Sequence, residues 1–216
     1  MTGEGSATAS ALRRGRLAPA ALVGEVARFL AKQGKNRVSK AVLIGSIVPY
    51  MLKTDDNPDG VPQSTFDEMT AGMKKDCPDF FRSFFKDFFG VGVIAHPVSD
   101  AVLADAWRQA MMAGLRPTLA AAQAFATTDF RPDLQSFAGV PTLVIHGTKD
   151  ATVPIDATAR VVAQQVPEAQ LIEYDGSAHG LFATDKDRLS EDLLNFLGSG
   201  ARTEDNSQRA IPMTAQ

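Results

Sequence analysis

Asp150 and His179 are the two residues whose types and positions allow them to do chemistry together. Asp150 follows the run Thr142-Leu143-Val144-Ile145, which is too short for a helix and rich in β-branched residues, and so reads as a buried parallel strand. His179 follows a second such run, Gln170 to Tyr174, after the turn residues Asp175-Gly176-Ser177. Side chains just past the C-terminal ends of parallel strands face the crevice where open α/β sheets carry their chemistry. A spacing of twenty-nine residues leaves room for one helix and one strand, so a β-helix-β crossover sets the two strand ends side by side. Asp150 accepting from one ring nitrogen of His179 would fix the tautomer and leave the other nitrogen free as a general base. Acid then histidine is also the chain order that closes a Ser…Asp…His relay for acyl transfer. Taken singly, each has a plainer explanation, with Asp150 opening a turn and His179 capping a loop. The pair on neighbouring strand ends is what favours chemistry.

The elements that must position this pair follow from the apolar pattern. A helix begins near Leu22, with Val23, Val26, Ala27 and Leu30 on one face and Gly34 as its stop. Ala41 to Ile44 opens a first buried strand, expected over about 41–47, and the other two are expected over about 141–146 and 170–174. Residues 50 to about 138 show no strand pattern. Ser64 and Thr65 begin two overlapping capping-box spacings, predicting a helix that Pro78 ends. Beyond it Phe81, Phe84, Phe85 and Phe88 share one helical face. Ser99 is the expected cap of a helix carrying Leu103 and Trp107, and Pro117 starts another to about Phe125. Helices over about 156–166 and 185–197 complete the pattern.

Composition narrows the function classes. The chain has 216 residues, ample for an α/β core, and a net charge of -3, which argues against nucleic acid or an anionic membrane as the main partner. One cysteine, Cys77, excludes an internal disulfide and makes a reducing, cytoplasmic compartment the default. No apolar run reaches the roughly 18 residues of a membrane-spanning helix. The Arg-, Ser- and Ala-rich start lacks the apolar core of a secretory signal, although it shares features with transit peptides. His96, His146 and His179 lack ligand spacing, so no metal site is expected. His96 reads as a loop residue and His146 as a structural residue of the strand-end turn.

From Gly24 to about Gly198 the chain resembles the C-terminal part of an α/β-hydrolase, and is most similar to the cofactor-free, non-haem chloroperoxidase and arylesterase branch. The motifs are Gly24-Glu25-Val26-Ala27-Arg28, Val38 to Ile44, Trp107-Arg108-Gln109-Ala110-Met111-Met112, Thr128 to Leu134, His146-Gly147-Thr148-Lys149-Asp150 with Val153-Pro154, and Ala178-His179-Gly180. The resemblance implies an α/β fold and a Ser-His-Asp triad that hydrolyses small-molecule esters. The same site would make peracids from a carboxylic acid plus peroxide, with no cofactor. It implies Asp150 as the triad acid and His179 as the general base. It also makes residues 50–138 a lid, whose Phe81, Phe84, Phe85, Phe88 and Trp107 are candidates for the substrate pocket.

The nucleophile departs from the pattern. The family's Gly-x-Ser-x-Gly-Gly elbow should immediately precede Gly24, and Ala20 stands at the serine's place. No Gly-x-Ser-x-Gly occurs in the chain, and Ser46, past a strand end, lacks the strained elbow that exposes a nucleophile. The expectation is therefore a truncated, weakly active or inactive family member, through a displaced start or frameshift upstream of Gly24. The alternative is a non-catalytic module binding small molecules or a protein through the Phe-rich lid.

The expected organisation is a disordered leader (1–21), a hydrolase core remnant (22–49 and 139–198), a helical lid (50–138) and a disordered tail (199–216). The expected fold class is α/β, an incomplete hydrolase fold with three parallel strands. Each strand side chain left in water would forfeit about 1.5–3 kcal/mol, against a total stability of about 5–15 kcal/mol. Marginal stability and self-association through an exposed sheet edge are expected.

Overall fold

A computed structural model describes residues 23–33 and 38–198. The leader with Ala20, the Gly34 stop and the tail after Gly198 lie outside the described residues, so those expectations are not addressed by it.

Three parallel strands form one sheet in the order β1-β2-β3, with β1 Ala41–Ile44, β2 Thr142–Gly147 and β3 Ala169–Tyr174. The register aligns Ile44 with Ile145 and Ile145 with Ile172, so the C-terminal ends of the strands lie at one edge of the sheet. β2 is central and all six of its residues are buried, which accounts for its unbroken apolar run. Its side chains alternate between two cores. Val144 faces Leu43, Val153, Val162 and Phe137, together with Ala27 and Leu30 of α1 (Val23–Gln33). Leu143 and Ile145 face Tyr174, Leu181, Leu189 and Phe196.

β1 is shorter than the sequence suggests. It stops at Ile44 because Gly45 takes φ 52°, and the Gly45 amide makes its last bond to the Ile145 carbonyl at 3.0 Å. α2 (Gln63–Phe89) also departs from expectation at two points. It starts at Gln63 after Pro62, and neither Ser64 nor Thr65 caps it. Its break falls at Asp76 (φ −154°, ψ 87°), before Pro78. The Asp76 carboxylate accepts the Asp79 amide at 3.0 Å and so caps the second half. Pro78 thereby falls in a first turn, where its missing N–H leaves no bond unmade. Gly90, at φ 71°, ends the helix in the left-handed conformation.

α3 (Asp100–Met111) is capped by Ser99 as predicted, whose hydroxyl accepts the Val102 amide at 3.4 Å. α4 (Leu115–Thr127) begins before Pro117, and a 3-10 helix (Arg131–Phe137) returns the chain to β2. α5 (Ala159–Gln165) starts later than predicted, after turns in which the Thr158 hydroxyl donates to the Pro154 carbonyl. A short α6 (Leu181–Thr184), which the sequence pattern did not suggest, precedes α7 (Lys186–Gly198). Between β1 and β2 the described residues contain isolated bridges at Leu52–Val61 and Thr54–Asn57 but no named strand. No helix among the described residues is long and apolar enough to cross a membrane.

Candidate active site

The loops after β2 and β3 are joined before any functional side chain is placed. The Thr148 amide bonds the Tyr174 carbonyl at 3.0 Å, and the Lys149 amide bonds the Ser177 carbonyl at 3.0 Å. The Thr148 hydroxyl donates to Asp175 and accepts from the Gly176 amide. Gly147 is required where the loops touch, because a Cβ there would lie 2.3 Å from the Ser177 carbonyl oxygen.

Within this frame Asp150 turns back on its own chain, with Oδ1 accepting the amides of Thr152 at 2.9 Å and Val153 at 2.7 Å. Its other oxygen, Oδ2, accepts the Nδ1–H of His179 at 2.6 Å. The carboxylate is fully buried and the His179 side chain is 13% exposed. No hydrogen bond to Nε2 of His179 occurs among the described residues. The edge of the Phe88 ring meets the His179 ring at 4.7 Å between centroids, and the Gly180 amide bonds the Phe88 carbonyl at 2.9 Å. Gly45 lies against the same imidazole: a Cβ on Gly45 would be 3.1 Å from its Cε1. Burial alone would raise the Asp150 pKa, but the nearby N–H of His146, the hydrogen bond from His179 and the charge of His179 outweigh it and hold the carboxyl at about 2.

His146 is not on the strand-end turn, as the sequence suggested, but inside β2 and wholly buried. Its Nε2–H donates to the Val153 carbonyl at 2.8 Å, and the same nitrogen is 3.2 Å from Asp150 Oδ2. Its Nδ1 is the one buried side-chain nitrogen or oxygen among the described residues that has no hydrogen-bond partner. Ser46 is buried, and its hydroxyl oxygen accepts the Val48 amide at 3.2 Å. His96 is exposed between α2 and α3. Among the described residues no group of three or more His, Cys, Asp or Glu is placed to hold a metal ion.

Beside the pair is a cleft of about 560 Å³ between the end of α2, α3 and α6. Phe85 and Phe88 line it, joined by Phe89, Val102, Ala106 and Phe182. Phe81 and Phe84 lie outside this lining, farther back along a ladder of ring contacts. Trp107 is turned away: its indole N–H donates to the Pro78 carbonyl at 2.8 Å and Arg82 lies over its ring. Trp107 lies off the face of α3, carrying Val102, Asp105, Ala106 and Gln109, that lines the cleft. Phe182 was missed because α6 carries no periodic signal of its own. Phe89 lies off the Phe81–Phe88 face and meets Gly180 and Phe182 only once β3 and α2 are brought together.

A buried acid bonded to a histidine across two parallel-strand ends defines a class, and comparison with known proteins agrees with it. The alpha/beta hydrolase fold family matches residues 24–186, and the chain belongs to this family. It is 39% identical over 176 residues to a non-heme chloroperoxidase of Kitasatospora aureofaciens, covering 81% of this chain and 64% of that protein. To the bifunctional esterase/perhydrolase DCH of Acinetobacter calcoaceticus it is 36% identical over 177 residues, 82% of this chain and 64% of that protein. The crystal structure of a bromoperoxidase from Bacillus anthracis superposes with a TM-score of 0.77 at 36% identity, covering 81% of this chain and 63% of that one. The chain thus spans a little under two thirds of the length of these relatives.

Proposed function

We propose that Asp150 and His179 are the acid and base of an ester-hydrolysing site of the carboxylesterase and perhydrolase type, acting on a small-molecule ester or on a carboxylic acid plus peroxide. The observation that carries this reading is the 2.6 Å bond from His179 Nδ1 to a buried Asp150 oxygen, which leaves Nε2 with no hydrogen bond among the described residues, while Phe88 packs on the imidazole and lines the neighbouring cleft. In such a site Nε2 takes the proton of an attacking hydroxyl and later returns it to the leaving alcohol, while the carboxylate steadies the imidazolium. The rings of Phe85, Phe88 and Phe182 would hold the apolar part of the substrate, and the site draws on no cofactor. Residues 50–138 act as its lid, and the protein works in the cytoplasm.

The chain as written is weakly active or inactive on this reading, because Ala20 occupies the nucleophile's place. Loss of a triad member leaves about 10³–10⁴-fold catalysis over water at most, from binding and the oxyanion hole. Turnover of p-nitrophenyl acetate and labelling by a fluorophosphonate probe test this. No serine should be labelled, and any turnover should be orders of magnitude below that of a full-length relative. Covalent labelling of a serine, Ser46 included, would refute the missing nucleophile.

The cleft supports a second reading, a module that binds small apolar ligands without catalysis. Ligand binding that survives His179→Ala, with no turnover in the parent chain, would favour it.

A further inference from the structure

His146 is a polar ring on a strand whose residues are all buried, and neither its side chain nor that of Asp150 is exposed at all. One ring nitrogen, Nδ1, has no partner, which is destabilising for a buried polar atom and asks for a reason. The other nitrogen supplies one. Its N–H reaches the Val153 carbonyl at 2.8 Å, and the Val153 amide reaches Asp150 Oδ1 at 2.7 Å. The same His146 nitrogen lies 3.2 Å from Oδ2, the oxygen that receives His179. The two amides on Oδ1 leave the carboxylate free to pivot about that oxygen, and the positive end of the His146 N–H bears on the oxygen that would swing. Because both groups are dry, no water can substitute for this donor.

We infer that His146 is a positioning residue, clamping the 150–153 turn and holding Asp150 Oδ2 toward Nδ1 of His179. This rests on the reading of Asp150 and His179 as the acid–base pair. It assigns His146 no contact with substrate.

The test is the low-field proton NMR resonance of the His179 Nδ1–H in the full chain, identified by its disappearance in Asp150→Asn. His146→Leu should lose that resonance to exchange with water. His146→Gln, which keeps an N–H donor, should retain it. Phe196→Ala, a cavity in the core on the other face of the sheet, should lower the melting temperature while leaving the resonance in place. A resonance unchanged in His146→Leu overturns the inference, as does its loss in Phe196→Ala, which would make the effect one of general stability. If His146→Leu does not fold, the Gln variant decides: retention supports the inference and loss overturns it. A parent chain with no resonance that Asp150→Asn removes would instead sink the acid–base pair itself, and the inference with it.

Discussion

At the scale of single residues, Asp150 is where pH acts. Its folded pKa of about 2 lies below the usual 3.8, so the native state binds its proton less readily than the unfolded chain does. The stabilisation from this difference is fully present above the unfolded value and is lost as pH falls through 3.8 to about 2. It amounts to roughly 2 kcal/mol for so buried a group. Urea unfolding of Asp150→Asn against the parent should show a deficit near neutral pH that shrinks by about that much as pH drops to about 2. An equal deficit at both pH values would show that the carboxylate is not held in its charged form. Gly45 is the second sensitive residue. Alanine there would adopt φ 52° at a cost of about 1–2 kcal/mol and would press a methyl within 3.1 Å of His179 Cε1. Gly45→Ala should both destabilise the chain and shift the His179 ring resonances, whereas Gly176→Ala, with nothing near its Cβ, should leave those resonances alone. Asp150 and His179 were legible in the sequence because each follows a strand run, and position past a strand end is a property of local pattern. The contact of His146 was not, because it depends on the 150–153 turn folding back onto its own strand.

At the scale of elements, the Phe-rich half of α2 decides how the cleft is built. The sequence shows an amphipathic helix but not which rings face the sheet. Phe89 is 2% exposed and packs against Gly180 and Phe182, whereas Phe81 is half-buried among other rings of α2. Phe89→Ala should therefore cost about 3–5 kcal/mol and Phe81→Ala well under that, measured by urea denaturation. Equal costs would mean that α2 rotates to bury either ring. The break in α2 shows the same division between local and tertiary information. Proline marks a discontinuity near residue 78, but the stop is set by Asp76, whose carboxylate caps the next turn. The absent Ser64 cap has a similar cause: the chain enters the helix from Pro62, two residues earlier than a Ser64 cap requires.

At the scale of the whole molecule, the parallel sheet was readable from three short apolar runs, and its order follows from crossovers that return each strand beside the last. What remains to be tested is how so small a sheet behaves in solution. Among the described residues β1 pairs with β2 alone, so the amides and carbonyls along its other side are free to template a further strand. Val93, Ile94, Met112 and Leu194 add exposed apolar surface outside the cleft. The chain should therefore form larger species as its concentration rises and should melt over a broad range. A charge on an edge strand opposes strand addition, because joining a second edge would bury it. Val42→Lys places one on β1 at a half-buried position, and sedimentation velocity should show it shifting the distribution toward the monomer. Should the parent chain already be a monodisperse monomer with a sharp, cooperative melt, the β1 edge is protected and the proposed self-association is wrong. Should Val42→Lys leave a self-associating distribution unchanged, the association belongs to the exposed apolar side chains and not to the sheet edge.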